Sequence, residues 1–345
     1  MIPRDINKPI FQELNMRKAI YAGDGNIQVV EAPDPVPGPG EVVVKTAVSA
    51  ICGSELHAYR GAAQEGNGGH EAAGTIAAVG EGVHWLKTGQ RVGVSCISGC
   101  GKCLYCSKGQ YTYCPDVRFY GNMHASSFLA SAIACQPLPD DLSWEAGVLL
   151  SGDGLGVPYH TSLKIASPEI KTVAVLGVGP IGLGNVLLQS RLGRRVIAVD
   201  LSPYRLELAK NLGASDTFNA DEEDTASRLR ALTGGVGPDV CIEAAGQPET
   251  GMACFKAVRT AGTVIFNGEQ GPLPLSPSDQ FIRRDITAVG SWFYHFSEFS
   301  EMLQLYRDGL GLLDLITHRF PLEEADAAFK QFSSRQSGKV VLTYP

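Results

Sequence analysis

Residues 17–23, 26–33, 40–51, 74–82 and 89–97 are short β-branched runs punctuated by glycine and proline, which predicts a β-rich first segment over residues 17–150. Between the second and third runs, residues 31–41 alternate proline and glycine with acidic residues. Prolines remove backbone donors and glycines loosen the chain, so this stretch predicts a loop between two strands. Residues 1–15 precede the first clear strand and read as an ordered arm, a flexible tail or a start placed too early, with Met16 an alternative first residue.

The pattern changes near residue 170. Apolar strand-like runs at 172–177, 194–200, 216–219, 239–246, 262–268 and 286–293 alternate with helical stretches at 180–193, 202–213, 225–235 and 248–260. Strands alternating with helices of that length imply right-handed crossovers and a parallel sheet, so a doubly wound α/β domain is predicted over 158–293. From residue 294, helical stretches at 296–309 and 322–333 precede a last strand at 339–345. There is no internal repeat.

A chain of 345 residues fits two domains, and 44% hydrophobic with 19% charged residues supports packed cores. The net charge of −7, without a Lys/Arg run, leaves no electrostatic footprint for nucleic acid or an anionic membrane. No apolar stretch approaches the ~20 residues of a membrane span. The first residues lack the apolar core of a signal peptide. The expectation is a soluble, cytoplasmic protein. Forty glycines, about 12% against the usual ~7%, imply many tight turns and close backbone approaches. Four of the nine cysteines fall within fifteen residues, and in a chain without a secretion signal clustered cysteines bind metal more often than they pair.

Gly177, Gly179 and Gly182, with Pro180 and Ile181 between the last two, follow a strand and open a helix. The first glycine permits a tight turn, the second lets a pyrophosphate approach the backbone, and the third lets the helix close on the strand. Asp200 ends the next strand, where its carboxylate can take both adenosine ribose hydroxyls and repel a 2′-phosphate; Arg205 is the nearest cation. A dinucleotide site is expected, with NAD favoured over NADP.

Cys100, Cys103, Cys106 and Cys114 have the spacing C-x2-C-x2-C-x7-C, and four thiolates in one loop meet the closed tetrahedral demand of a structural zinc. Spacing alone leaves an iron–sulfur cluster or free thiols open. Cys96 reads as a buried spare. Cys52, His70 and Asp153 are singly unremarkable.

Together, C-G-S-E-x-H at 52–57, G-H-E-A-A-G at 69–74, the four-cysteine lobe (about 96–114) and V-L-G-V-G-P-I-G at 175–182 resemble the zinc-dependent medium-chain alcohol and polyol dehydrogenases, across nearly all of residues 16–345. The resemblance implies a GroES-like β-rich catalytic domain (1–157 and 294–345) interrupted by a Rossmann domain (158–293), two zinc ions per chain, NAD, and a homodimer or homotetramer. It implies hydride transfer between NAD and a secondary alcohol, a polyol, sugar or aminocyclitol being favoured. Cys52 and His70 match catalytic zinc ligands; Glu71 matches the neighbouring carboxylate, which in polyol-type relatives can enter the coordination sphere. Ser54 and His57 match the proton relay. At the third ligand position this chain carries Asp153 where relatives place Cys or Glu; the competing reading makes Asp153 a helix cap. Asn267, Ser291 and Phe293 fall where the nicotinamide carboxamide is held, and Lys339 where a cation sits near the pyrophosphate. Tyr59, Phe119, His124 and Leu155 fall along the substrate cleft. The alternatives are a metal-free quinone or enone reductase of the same superfamily and a non-catalytic dinucleotide-binding protein.

Overall fold

The computed structural model describes residues 15–345, so the three readings of the N-terminal segment lie largely outside the described residues. Seventeen strands are described. Those before the parallel sheet are β1 (Asn15–Gly23), β2 (Asn26–Pro33), β3 (Glu41–Ala50), β4 (Glu71–Val79), β5 (Arg91–Ser95), β6 (Ile97–Ser98), β7 (Arg118–Phe119), β8 (Ser127–Ser131) and β9 (Cys135–Pro137). Next come β10 (Thr172–Leu176), β11 (Arg195–Asp200), β12 (Asp216–Asn219), β13 (Val240–Glu243), β14 (Thr263–Phe266) and β15 (Thr287–Gly290). The last two are β16 (Ile316–Pro321) and β17 (Lys339–Thr343).

The parallel sheet has the order β12-β11-β10-β13-β14-β15. The order reverses between β10 and β13, so a crevice opens there at the carboxyl ends of the strands, where nucleotides bind in such folds. The strands read as continuous apolar runs because helices cover both faces: Val173, Ala174, Val175 and Cys241 are all fully buried.

The larger sheet has the order β16-β17-β3-β4-β5-β9, with β8 also on β3. β17 pairs antiparallel with β3, Val341 opposite Ala50, so the last segment returns to the first domain. β1 and β2 form a separate hairpin, and β6 and β7 a short ribbon beside the cysteine lobe.

Two helices, Trp144–Ser151 and Asp153–Lys164, join the domains. The second runs continuously through residues 157 and 158. It packs on the helix Pro180–Arg191 at very short range: a Cβ on Gly184 would lie 2.6 Å from the Gly154 carbonyl oxygen and 2.7 Å from Pro158. One apolar core therefore runs from Val48, Ala73 and Leu149 of the first domain to Val173, Leu183 and Val186 of the second. No helix among the described residues is long and apolar enough to cross a membrane.

Candidate active site

The glycine turn matches its expected geometry. Gly177 has φ +87°, and a Cβ there would meet the Ala245 backbone at 2.6 Å. A Cβ on Gly182 would sit 2.0 Å from the Gly177 carbonyl oxygen, so only glycine lets the helix close on the turn. Gly179 is the N-cap and Pro180 opens the helix, where its missing N–H costs nothing. Asp200 ends β11 and draws the turn together: its Oδ2 accepts from the Val178 N–H at 2.7 Å and its Oδ1 from the Ser202 N–H at 2.9 Å. Ile181 follows on the first turn of the same helix. Arg205, which donates to the Ser337 carbonyl at 3.0 Å, has Nη1 3.6 Å from where a Gly179 Cβ would be. That places a cation over the turn, which the glycine pattern alone did not reveal.

At the carboxyl ends of β14 and β15 a buried polar group forms. Asn267 donates to Thr161 Oγ1 at 3.0 Å and to the Ser291 carbonyl at 3.1 Å, and Thr161 donates to Ser291 Oγ at 3.0 Å. Phe293 adopts φ +52°, a left-handed conformation rare for an aromatic residue, and sets its ring edge-on to His70 at 6.3 Å.

His70, Cys52 and Asp153 meet in the cleft. His70 Nε2 lies 3.2 Å from Asp153 Oδ2, and Cys52 Sγ lies 3.6 Å from the same oxygen. His70 Nδ1 is 2.8 Å from the Gly68 carbonyl, which can only accept, so Nδ1 carries a proton and Nε2 is the ring nitrogen left to face Asp153 or a metal ion. Tetrahedral zinc with ordinary bond lengths would place N and O ligands about 3.4 Å apart and S and O ligands about 3.6 Å apart. Asp153 Oδ1 is buried with no hydrogen-bond partner. Three atoms of metal-ligand type converging on one point, beside an orphaned carboxylate oxygen, fit a cation. Asp153 opens its helix without a side-chain cap bond, so the capping alternative has no support here.

Behind this group, Glu71 Oε2 accepts from the Asp153 N–H at 3.0 Å, while Glu71 Oε1 takes the Lys339 ammonium. Both side chains are almost completely buried. Burial raises the Glu71 carboxyl, against the pull of Lys339. Asp153 feels the same burial, but the His70 bond and charge, with Lys339, hold it below its ordinary value. Burial disfavours the Lys339 charge, yet Glu71, Cys52 and Asp153 together raise it. Lys339 was expected near the pyrophosphate; its ammonium instead balances charge beneath the ligand cluster.

The substrate assignments change most. His124 and Leu155 have no exposed surface and Tyr59 has 3%, so none of these lines an open cleft. Leu155 belongs to the shared core, Tyr59 packs on Phe329 at 5.2 Å, and His124 bonds Glu55 and Ser49. Phe119 is 60% exposed and reaches across to Trp292, with ring centres 5.8 Å apart. Trp292 meets Phe293, so an aromatic series runs from His70 to the cleft mouth. Trp292 lies between Ser291 and Phe293 in sequence, and that adjacency is the signal that points to it. Ser54 and His57 are exposed, on short turns directly after Cys52.

In the lobe, Cys103 Sγ lies 3.5 Å from Cys106 Sγ and 3.8 Å from Cys114 Sγ, and the Cys100 N–H points at Cys114 Sγ at 3.2 Å. The edge of a ZnS4 tetrahedron with Zn–S near 2.3 Å is about 3.8 Å. A single ion fits; a multi-iron cluster would spread the sulfurs further. Cys96 is buried apart from the four, and burial pushes its thiol far up.

Residues 38–140 match the alcohol dehydrogenase GroES-like domain and residues 180–308 the zinc-binding dehydrogenase domain. The chain is 30% identical to sorbitol dehydrogenase of Bacillus subtilis (strain 168), covering 96% of this chain and 98% of that protein. It is 32% identical to L-threonine 3-dehydrogenase of Symbiobacterium thermophilum, covering 94% and 96%. It superposes on the Escherichia coli CFT073 alcohol dehydrogenase rspB, solved with the cofactor NADH, with TM-score 0.84 at 26% identity over 96% of this chain and 99% of that one. With this fold and these clusters, the chain belongs to the zinc-dependent medium-chain alcohol/polyol dehydrogenase family. It is an NAD-dependent enzyme whose cofactors are zinc and NAD.

Proposed function

We propose that the chain transfers a hydride between NAD and a secondary alcohol of the polyol, sugar or aminocyclitol kind. The observation that carries this reading is the convergence of Cys52, His70 and Asp153 on one point with no other partner for Asp153 Oδ1. These three residues would hold the catalytic zinc. Glu71 supports from behind, since both of its oxygens are engaged by Asp153 and Lys339. Cys100, Cys103, Cys106 and Cys114 would hold the structural zinc. Bound in these places, zinc supplies Lewis acidity toward a substrate hydroxyl and NAD accepts the hydride.

The chain's own residues do the rest. The turn Gly177–Gly182 and Asp200 hold the dinucleotide, and Asn267, Ser291 and Phe293 fix the face of its ring. Ser54 Oγ takes the substrate proton and His57 passes it to water, because a hydroxyl can accept and donate at once and an imidazole has two ring nitrogens, one to accept and one to donate. Phe119, Trp292 and Phe293 offer flat apolar faces to the C–H side of a ring or chain whose hydroxyls point elsewhere. The sorbitol dehydrogenase relative supports a polyol over a long alkyl alcohol. By the family resemblance we also propose a cytoplasmic homodimer or homotetramer, which light scattering would test.

The test is a panel of polyols, sugars, aminocyclitols and simple alcohols with NAD and NADP, read at 340 nm, alongside zinc analysis of Asp153→Ala. We expect turnover with a polyol-type substrate, preference for NAD, and loss of both turnover and one zinc in the variant. Turnover surviving complete zinc removal, or kcat/KM with NADP equal to that with NAD, would overturn it.

A further inference from the structure

A third group of ligand-type side chains converges among the described residues, away from both cysteine-bearing clusters. His160, on the helix Asp153–Lys164, meets His295 and Glu298, on the turn that follows β15. Each places a donor atom within 4.8 Å of the other two, the same convergence shown by the two zinc clusters. His160 Nδ1 lies 2.9 Å from Glu298 Oε1, and Glu298 Oε2 accepts from the His295 backbone N–H at 3.1 Å. His295 Nδ1 lies 3.1 Å from Thr112 Oγ1 in the cysteine lobe, and the two imidazoles meet edge to face with centres 4.7 Å apart. Both histidines are buried, and the Glu298 side chain is only 11% exposed.

We propose that His160, His295 and Glu298 form a third metal site, for a borderline divalent cation such as zinc, in the seam between the cysteine lobe and the Rossmann domain. Two imidazole nitrogens and one carboxylate oxygen suit zinc, cobalt, nickel or copper and not magnesium or calcium, which prefer all-oxygen shells. The cation replaces the proton shared by His160 Nδ1 and Glu298 Oε1, whose 2.9 Å separation needs only a few tenths of an ångström to become a ligand–ligand edge. The third donor is a ring nitrogen of His295.

His160 also lines a cavity of about 230 Å³ with Thr112, Lys164 and Ser291, so there is room for a water beside one of the three ligands. One carboxylate against a divalent ion leaves a net positive charge, and Lys164 stands nearby. The site is therefore weaker than either cysteine cluster and loads by added metal. When filled, it joins the lobe, the interdomain helix and the turn that follows Phe293.

The test uses the enzyme carrying its two resident zinc ions, titrated with CoCl2 under anaerobic conditions and followed by visible absorption, calorimetry and thermal unfolding. We expect one further equivalent, with d–d bands but no thiolate-to-cobalt charge-transfer band, and a raised unfolding midpoint. Glu298→Gln, His160→Gln and His295→Ala should each weaken that equivalent by about tenfold or more while the two resident zincs stay in place. Should His295→Ala fail to fold, Glu298→Gln carries the comparison, since it keeps shape and an acceptor for the His295 N–H. No third equivalent at millimolar cobalt, a charge-transfer band showing thiolate ligation, or binding unchanged in Glu298→Gln would each overturn the site.

Discussion

Replacing Lys339 with methionine tests how the buried ligand cluster balances its charge. The Cys52 thiolate, Glu71 and Asp153 bring three negative charges into a site where Glu71 has no exposed surface and Asp153 has 5%. Zinc contributes two positive charges and the Lys339 ammonium, bonded to Glu71, contributes the third. His70 is a neutral ligand when zinc is bound, so the group is formally neutral. Methionine has nearly the volume of lysine, so no cavity opens; what is lost is one charge. An uncompensated charge at full burial costs about 3–5 kcal/mol. Urea unfolding of the zinc-loaded Lys339→Met enzyme should fall short of wild type by that amount.

The double variant Lys339→Met/Glu71→Gln restores neutrality, and the glutamine oxygen can still accept from the Asp153 N–H. Its amide nitrogen lacks a partner, which leaves a deficit of about 1–3 kcal/mol. The double variant should therefore be more stable than Lys339→Met alone. If Lys339 instead served the pyrophosphate, its loss would raise the NADH dissociation constant with stability unchanged, and Glu71→Gln would rescue nothing. A single variant within about 1 kcal/mol of wild type, the usual range for an exposed ion pair, would refute the charge-balance argument.

Three further outcomes follow from the geometry. Gly182→Ala puts a Cβ 2.0 Å from the Gly177 carbonyl, so the turn must open; NADH affinity by fluorescence titration should fall at least about tenfold, whereas Gly271→Ala, where a Cβ meets nothing within 4 Å, should match wild type. Burial would raise the Glu55 carboxyl, but His124 and its hydrogen bond lower it to about 2 from 4.5, so its contribution is present above pH 4.5 and lost as pH falls through 2. That amounts to about 3 kcal/mol, and acid unfolding of Glu55→Gln should lack this limb; an unchanged slope would count against the assignment. Ser54→Ala should lose more turnover than His57→Gln, because water can replace the outer relay link, and His57→Gln should recover with rising pH or added imidazole. Wild-type kcat for His57→Gln at neutral pH, with an isotope effect showing hydride transfer to be limiting, would remove His57 from the relay.

What could be read from sequence was local. The glycine turn and the four-cysteine loop are contiguous, and their chemistry depends on spacing that folding hardly alters. The parallel sheet was legible because its strands are buried on both faces and interrupted by helices of regular length. The helices Trp144–Ser151 and Asp153–Lys164 were not, since Gly154, Gly156 and Pro158 are poor helix formers. They are present because packing demands them: a Cβ on Gly156 would lie 2.3 Å from the Tyr294 ring. Tertiary contact overrode local preference there, and that is where Asp153 is positioned. Lys339 was misplaced for a related reason: sequence gives its strand position but not that β17 lies against β3 beside the ligand segment.

His124 was placed along the substrate cleft by the family resemblance, whereas its partners lie in the core. Its Nδ1 meets Ser49 Oγ at 2.8 Å and its Nε2 meets Glu55 Oε2 at 2.9 Å, so both nitrogens are engaged without solvent. Glu55 Oε1 accepts from the Cys52 backbone N–H at 2.9 Å, and Tyr21 donates to Glu55 Oε2 at 3.0 Å. The Tyr21 oxygen in turn accepts from the Gly68 N–H at 2.8 Å, and the Gly68 carbonyl takes the His70 Nδ1 proton. One buried chain of hydrogen bonds thus reaches both ligand-bearing segments, 52 and 68–70, which are otherwise held by separate loops. A network satisfied at every atom permits little drift, because breaking one link strands a polar group in an apolar core. The distance between Cys52 and His70 is therefore set from the interior outward, by Tyr21, Glu55 and His124, before any cation binds between them.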